Sequence, residues 1–517
     1  MKTANIPALL EQALARHQQG QSEQAEALYL QVLQLQPAQF DALQLLGVLA
    51  RQRGDAETAV KRLQQAIAVN PQQAIAHCNL GAALQDLGRS QEAVASYDRA
   101  LLLKPDYAMA CNNRGNALRS LGQMEQALAS YDQALQITPA YLEALLNRGL
   151  LLQELAEHES ALPDFDDALA LRNNYCEALF ARAVSLQYLH AHEEALQDYD
   201  HLLQQNPRHS EAWCNRGMLL QKLQQYEAAL HSIDHALAGK ADFAKAHQQR
   251  GHCLRLLQRN DEAITAYQSA LAHGANAEQM RYALAALGAG DTPAAAPSGY
   301  VAELFDQYAD HFDRHLLDVL GYTVPDLLAA AIQRHRGAAS YSSLDLGCGT
   351  GLCAPSLRHF SSRLVGVDLS EKMLAKARYT GLYDSLHCAD ITSFLLTATA
   401  ADYDLVVAAD VFVYIGDLQQ VFAEVSRVLR HGGLFAFSAE AASTGSETTN
   451  FCLRPSHRYA HAAHYLQRLA QQHGFIIMET HQEFARRDHG EDIAIHIMLM
   501  QKNLTRRFRP WQVSPPT

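Results

Sequence analysis

The chain has 517 residues, enough for two or three domains each with a full core, and 48% of them are hydrophobic. Its 42 Lys and Arg against 55 Asp and Glu give a net charge of −13, which argues against nucleic-acid binding, because phosphate contacts need clustered cations. No apolar run is long enough to span a membrane, the nine cysteines contain no C-x-x-C pair, and the chain opens directly on an amphipathic pattern. These features lead to the expectation of a cytoplasmic protein with no metal and no membrane partner.

In chain order, the first feature is a period of 34 residues. Gly47, Gly81, Gly115, Gly149, Ala183, Gly217 and Gly251 stand at that interval. Ala25, Ala59, Ala93, Ala127, Ala161, Ala195, Ala229 and Ala263 form a second ladder at the same period. A third, Tyr29, Tyr97, Tyr131, Phe165, Tyr199 and Tyr267, follows the alanines one helical turn later. Glycine inside a helix costs roughly 1 kcal/mol relative to alanine. Its recurrence implies close approach, expected here as backbone against backbone between paired helices. Pro37, Pro71, Pro105, Pro139 and Pro207 punctuate the ends. These residue types at this period resemble tetratricopeptide repeats, and the resemblance implies an all-α solenoid of eight repeats with a capping helix over residues 6–287.

In such arrays the first helix of each pair lines a concave groove. Asn79, Asn113, Asn147 and Asn215 recur at one position of that helix, interrupted by Ala181. This amide ladder resembles that of the repeats of O-linked N-acetylglucosamine transferase, where it holds an extended peptide by its backbone. The resemblance implies a protein or peptide partner in the groove. Arg51, Gln85, Arg119, Gln153, Gln187, Gln221 and Arg255 form a further polar ladder, for which a solvated face is the alternative. Arg114, Arg148, Arg182, Arg216 and Arg250 also recur, and their heads are expected to reach carboxylates from stems packed between repeats.

Residues 288–299, rich in Gly, Ala, Pro and Ser, read as an interdomain linker. Beyond them the period changes. Short β-like runs at Ser343–Leu346, Leu364–Asp368, Leu405–Ala409 and Leu434–Ser438 alternate with helical stretches, which predicts a doubly wound parallel sheet over 300–502. Phe475–Thr480 and Ile493–Met500 read as two strands, antiparallel at one edge. Residues 503–517, with Arg506, Arg507, Arg509 and Trp511, read as a solvated basic tail.

The chemistry lies in Leu344-Asp345-Leu346-Gly347-Cys348-Gly349-Thr350-Gly351, a strand running into a glycine turn before a helix. Its G-x-G-x-G spacing is not the dinucleotide fingerprint, and no Gly-Lys-Ser/Thr follows for a P-loop. Asp368 closes the next strand, where a carboxylate can accept from both ribose hydroxyls. Asp390 follows the third strand, where it can accept from an adenine amino group with Leu369 and Ile391 sandwiching the ring. This set resembles the class I S-adenosylmethionine-dependent methyltransferases, which are Rossmann-like. The resemblance implies S-adenosylmethionine as cofactor, with Asp345, Gly347, Cys348, Gly349 and Gly351 at the methionine part, and Met373 near the nucleoside. Asp410, opening the segment Asp410–Tyr414, and the turn His431-Gly432-Gly433 fit the family's order.

Upstream, Leu304–Asp313 resembles a segment that in several methyltransferases folds over the cofactor, its tyrosine, here Tyr308, approaching the methionyl group. The apolar spacing of Phe305, Tyr308 and Phe312 equally fits a helix burying one face. No catalytic base is assigned. Candidates are Tyr414 and Glu440 at strand ends, and His461 and His464, spaced for one helix face. With His457 and Arg458, these two histidines occupy the segment before the last helix, where the family often builds its acceptor pocket. The whole implies methyl transfer to a protein, peptide or carrier-linked acceptor recruited by the repeats. The alternatives are a small-molecule methyltransferase whose repeats serve assembly, and an inactive scaffold.

Overall fold

The computed structural model describes residues 6–309, 312–319, 321–336, 340–442, 450–488 and 491–503. The basic tail from residue 504 onward and Asp310 and His311 lie outside the described residues. The chain forms two compact units, Met1–Ala241 and Asp242–Thr517.

The first unit is helical. Among the described residues, fourteen helices from Ile6–Gln18 to Tyr226–Gly239 make seven hairpins, each packed on the next. Within a hairpin the glycine lies under the side chain sixteen positions on. A Cβ added to Gly115 would stand 2.5 Å from the Tyr131 ring, and one on Gly149 2.5 Å from Phe165. At Gly47 and Gly217 the neighbours are Leu63 and Ile233 instead. The close approach is therefore mainly side chain on backbone, which corrects the backbone-to-backbone expectation. A large side chain pressed onto a glycine fills volume that facing Cβ atoms would leave unevenly packed. A further ladder at the same period emerges from the backbone. Gly20, Gly54, Gly88 and Gly122 turn their hairpins at φ of 75°, 80°, 71° and 73°, and Ala156, His190 and Gln224 hold the same turn at 61°. That conformation costs a residue with a Cβ roughly 1–2 kcal/mol.

The arginine ladder meets carboxylates inside the array. Arg148 donates to Asp132 and Asp164, and Arg182 to Asp166 and Asp198, sixteen residues to either side. Asp164 and Asp198 are buried, and each binds its guanidinium through both oxygens. In Arg114 and Arg216 the second partner is Ser130 or Ser232. The second polar ladder ties hairpins together as well: Arg51 bonds Asp86, Arg119 bonds Glu154, and Gln153 donates to the Ala181 carbonyl. All four ladder asparagines are half-buried, and Asn147 donates to Asn112 of the preceding hairpin at 2.9 Å.

The second unit opens with the hairpin Ala244–Leu256 and Asn260–Ala272 and the helix Ala277–Ala286. Its strands are β1 (Tyr341–Leu346), β2 (Ser361–Asp368), β3 (Ser385–Cys388), β4 (Tyr403–Ala408), β5 (Leu429–Glu440), β6 (Phe451–Leu453), β7 (Tyr459–His461), β8 (Phe475–Asp488) and β9 (Glu491–Lys502). The main sheet runs β3-β2-β1-β4-β5-β9-β8, while β6 and β7 pair separately. β1 to β5 are parallel, and β9 is antiparallel to both β5 and β8, as the two late apolar runs lead one to expect. Alternate residues enter two cores, Leu344, Val406 and Phe435 on one face and Leu405, Val407 and Leu434 on the other. Strand order reverses between β1 and β4, which opens a crevice at their carboxyl ends.

Residues 293–296 are not a free tether. The Ala294 carbonyl accepts from Gly416 and Asp417 N–H at 2.8 Å, Ala296 N–H donates to the Tyr414 carbonyl at 2.8 Å, and the Tyr459 hydroxyl donates to the Pro293 carbonyl at 2.9 Å.

Candidate cofactor and acceptor site

The crevice holds a cavity of about 1260 Å³, open mouth included. Its floor is the loop after β1. Gly347, Gly349 and Gly351 adopt φ of 65°, 54° and 95°, the left-handed region that glycine enters without strain. A Cβ on Gly347 would stand 2.3 Å from Val411, so that glycine admits a neighbour. A Cβ on Gly349 would meet nothing closer than Phe312 at 3.9 Å, so this one leaves space in the cavity.

Around the floor stand Asp368, the last residue of β2, with Leu369 after it, Asp390 and Ile391 after β3, and Asp410 and Tyr414 after β4. The Asp368 carboxylate accepts from the N–H of Gly349 and of Ser370, each at 2.9 Å. Burial raises its pKa, and those N–H groups oppose the rise. Asp390 caps the helix Ile391–Thr397 by accepting from Ser393 N–H at 3.0 Å. Asp410 sits at φ 56°, a strained conformation for a residue with a side chain; the Ser438 hydroxyl braces it by accepting its N–H and donating to its carboxylate. Two polar clasps bind the upstream segment to this floor, Ser370 to Asp306 and Thr350 to Asp313.

Other candidates lie off the cavity. Asp345 is buried behind the loop, where it accepts from the Tyr383 hydroxyl at 2.7 Å and burial pushes its pKa up to about 7. Gly351 packs on Tyr383, and Met373 is buried in the helix Glu371–Tyr379. Tyr308 packs edge-on against Phe312, and it is Phe305 and Phe312 that line the cavity. Cys348 lines it as well.

Among the base candidates only Tyr414 lines the cavity. Glu440 is buried and paired with Arg454 at 3.1 Å and Arg458 at 3.4 Å. His461 ends β7, with Nε2 at 2.9 and 3.1 Å from the carbonyls of Ile415 and Gly416, and burial holds its pKa down at about 4. His464 is exposed in the next element, the helix Ala463–Gln472, so the two do not share a helix face as expected; the chain changes from strand to helix between them. Sequence reasoning passed over Leu316, Tyr322 and Pro325, which line the cavity, and the apolar run closing on a proline at a helix start was their only signal.

The chain matches the methyltransferase domain family over residues 344–437 and tetratricopeptide repeat families over 10–61, 49–88, 74–107, 115–155, 198–231 and 244–272. The chain therefore carries tetratricopeptide repeats and an S-adenosylmethionine-dependent methyltransferase domain. It is 32% identical over 170 residues to the malonyl-[acyl-carrier protein] O-methyltransferase of Enterobacter lignolyticus (strain SCF1), covering 33% of this chain and 64% of that one. It is 31% identical over 111 residues to the ubiquinone biosynthesis O-methyltransferase of Aromatoleum aromaticum (strain DSM 19018 / LMG 30748 / EbN1), covering 21% and 47%. The chain thus spans about half to two thirds of the length of such relatives, 45% in a third case from Bacillus cytotoxicus. The solved structure of YrrB, described as a TPR protein with an unusual peptide-binding site, is 27% identical, covering 36% of this chain and 97% of that one at a TM-score of 0.33.

The methyltransferase domain's cavity fits its cofactor. Gly349 leaves an open cradle beside the loop, and the carboxylates of Asp368 and Asp390 stand at successive strand ends. Among the described residues, no group of three His, Cys, Asp or Glu is placed to hold a metal, and no helix is long and apolar enough to cross a membrane.

Proposed function

We propose that this chain transfers a methyl group from S-adenosylmethionine to an oxygen of an acceptor carried by a protein partner, in the cytoplasm. The observation that carries this reading is the single cavity joining the glycine loop, Asp368 and Asp390 at the ends of β1 to β3 with a wall past β4. In this reading Asp368 holds the ribose and Asp390 the adenine, with Leu369 and Ile391 on the ring faces and the loop backbone at the methionine part. When bound, the cofactor supplies an electrophilic methyl group on a sulfonium. Phe305 and Phe312, clasped through Asp306 and Asp313, exclude water from that end, and alignment in line with the methyl group supplies much of the rate. The repeats, with Asn79, Asn113, Asn147 and Asn215 in their groove, recruit the protein that carries the acceptor.

The second reading is a small-molecule acceptor with the repeats used for assembly, and the aromatic wall of Phe305, Phe312 and Tyr414 favours it. One experiment separates them. The full chain is incubated with methyl-labelled S-adenosylmethionine and either malonyl-loaded acyl carrier protein or a free malonyl thioester. Faster labelling of the carrier-bound acceptor supports the proposal, and equal rates support the small-molecule reading. Cofactor binding without labelling of either acceptor would support the scaffold reading.

A further inference from the structure

Among the described residues, Arg458 is the one cation lining the cavity, whose lining also includes Asp368, Asp390 and Asp410. It sits 6.0 Å above the Tyr414 ring, past β4, and pairs with Glu440, the last residue of β5. The turn that presents it is held from several sides. Arg454 N–H donates to the Arg458 carbonyl at 2.9 Å, and His457 adopts φ 62°. From the last helix hairpin Arg255 donates to the Pro455 carbonyl at 3.1 Å, and from the following helix the Tyr282 hydroxyl donates to the His457 carbonyl at 2.6 Å. The Tyr300 hydroxyl stands 3.3 Å from His457 Nδ1.

We propose that Arg458 is the acceptor-recognition residue, that it takes a carboxylate, and that Tyr282 and Arg255 are positioning residues that aim it through the turn 455–457. The inference rests on the methyltransferase reading above and names its substrate class. Two physical reasons favour a carboxylate. A planar guanidinium matches a carboxylate through two parallel N–H groups, and a charged acceptor entering beside three aspartates needs a cation to offset them. A carboxylate is also already ionised. When its oxygen bonds the methyl carbon, the carbon–sulfur electron pair returns to sulfur and no proton has to leave. No base is then needed from the engaged Glu440 and His461 or from Tyr414, whose pKa burial raises.

The test uses calorimetry on the full chain saturated with S-adenosylhomocysteine. The probes are the malonyl thioester of N-acetylcysteamine and its uncharged methyl ester. We expect the charged probe to bind about tenfold more tightly or better, the energy of a hydrogen bond to a charged group. Arg458→Met should erase that preference and Arg458→Lys keep part of it, both with unchanged affinity for S-adenosylhomocysteine, which reports an intact fold. Tyr282→Phe should weaken the charged probe about threefold, as loss of one neutral hydrogen bond would, again without touching S-adenosylhomocysteine. A wild-type protein that binds both probes alike or neither, or a Met variant that keeps the preference, overturns the proposal. A wild-type protein that does not bind S-adenosylhomocysteine overturns the underlying reading instead.

Discussion

Glycine recurs in both units, but for opposite reasons. In the repeat unit Gly115 gives up its side chain so that Tyr131 can occupy the space, and a Cβ there would stand 2.5 Å from the ring. In the methyltransferase domain Gly349 gives up its side chain and the chain puts nothing within 3.9 Å of the gap. One omission is filled from within and serves packing; the other is left open to the cavity where the proposed cofactor would lie. Open space alone does not mark a ligand site, since the turn glycines Gly20, Gly54, Gly88 and Gly122 also have nothing within 4 Å. What sets Gly349 apart is that its gap opens into the cavity.

The comparison can be broken at either end. The largest effect is expected from Asp368→Ala, which should weaken S-adenosylmethionine binding by about 2–4 kcal/mol in calorimetry, since two charged hydrogen bonds to the ligand are lost. The chain should stay folded though less stable, because the N–H groups of Gly349 and Ser370 lose their acceptor. An unchanged affinity would remove the cofactor assignment. Gly115→Ala should do the reverse, destabilising the array by about 1–3 kcal/mol in denaturant unfolding with cofactor affinity intact, because a ring packed on all sides has nowhere to yield. If Gly115→Ala is neutral, the ladder does not exist for packing.

A pH effect is expected of similar size. His461 is held neutral by burial with a pKa of about 4 against an ordinary 6.5, so the unfolded chain binds a proton that the folded one refuses. Stability should therefore fall by about 1–3 kcal/mol as pH drops from 6.5 towards 4. His461→Gln, whose amide can donate to the same carbonyls, should remove its share of that limb in thermal unfolding read across pH, leaving the share of His252 and His457, whose pKa values burial also lowers. The smallest effect belongs to the repeat turns. His190→Gly, at a position where earlier hairpins carry glycine, should stabilise by about 0.5–1 kcal/mol, because the left-handed conformation costs a side chain and not a glycine. A loss of stability there would mean that the His190 side chain contributes more than its strain removes.

Much of the architecture was legible. The period of 34 residues marks hairpins that each bury themselves on the next, so every contact class repeats where sequence comparison can see it. The Arg148 and Arg182 clamps follow from the same regularity, with partners sixteen residues to either side. The turn ladder Gly20, Gly54, Gly88 and Gly122 was equally periodic, but Ala156, His190 and Gln224 break its composition, and only the backbone conformation restores it. In the α/β region the strand runs and the glycine turn were readable because each is a local signal.

The sequence by itself determined the repeat period, the alternation of strands and helices, and the types of residue at the strand ends. Tertiary structure decided which of those residues share a cavity. Asp345 lies beside the loop in sequence yet faces Tyr383, while Arg458, far along the chain, lines the same cavity as Asp368. Composition made 288–299 read as loose, and the carbonyl and N–H groups of 294–296 found partners at 414–417. The physical reason is range. A helix hairpin satisfies its backbone and buries its small residues within some forty positions or fewer. A site at a sheet's switch point gathers side chains from loops whose separation in sequence carries no trace of their proximity in space.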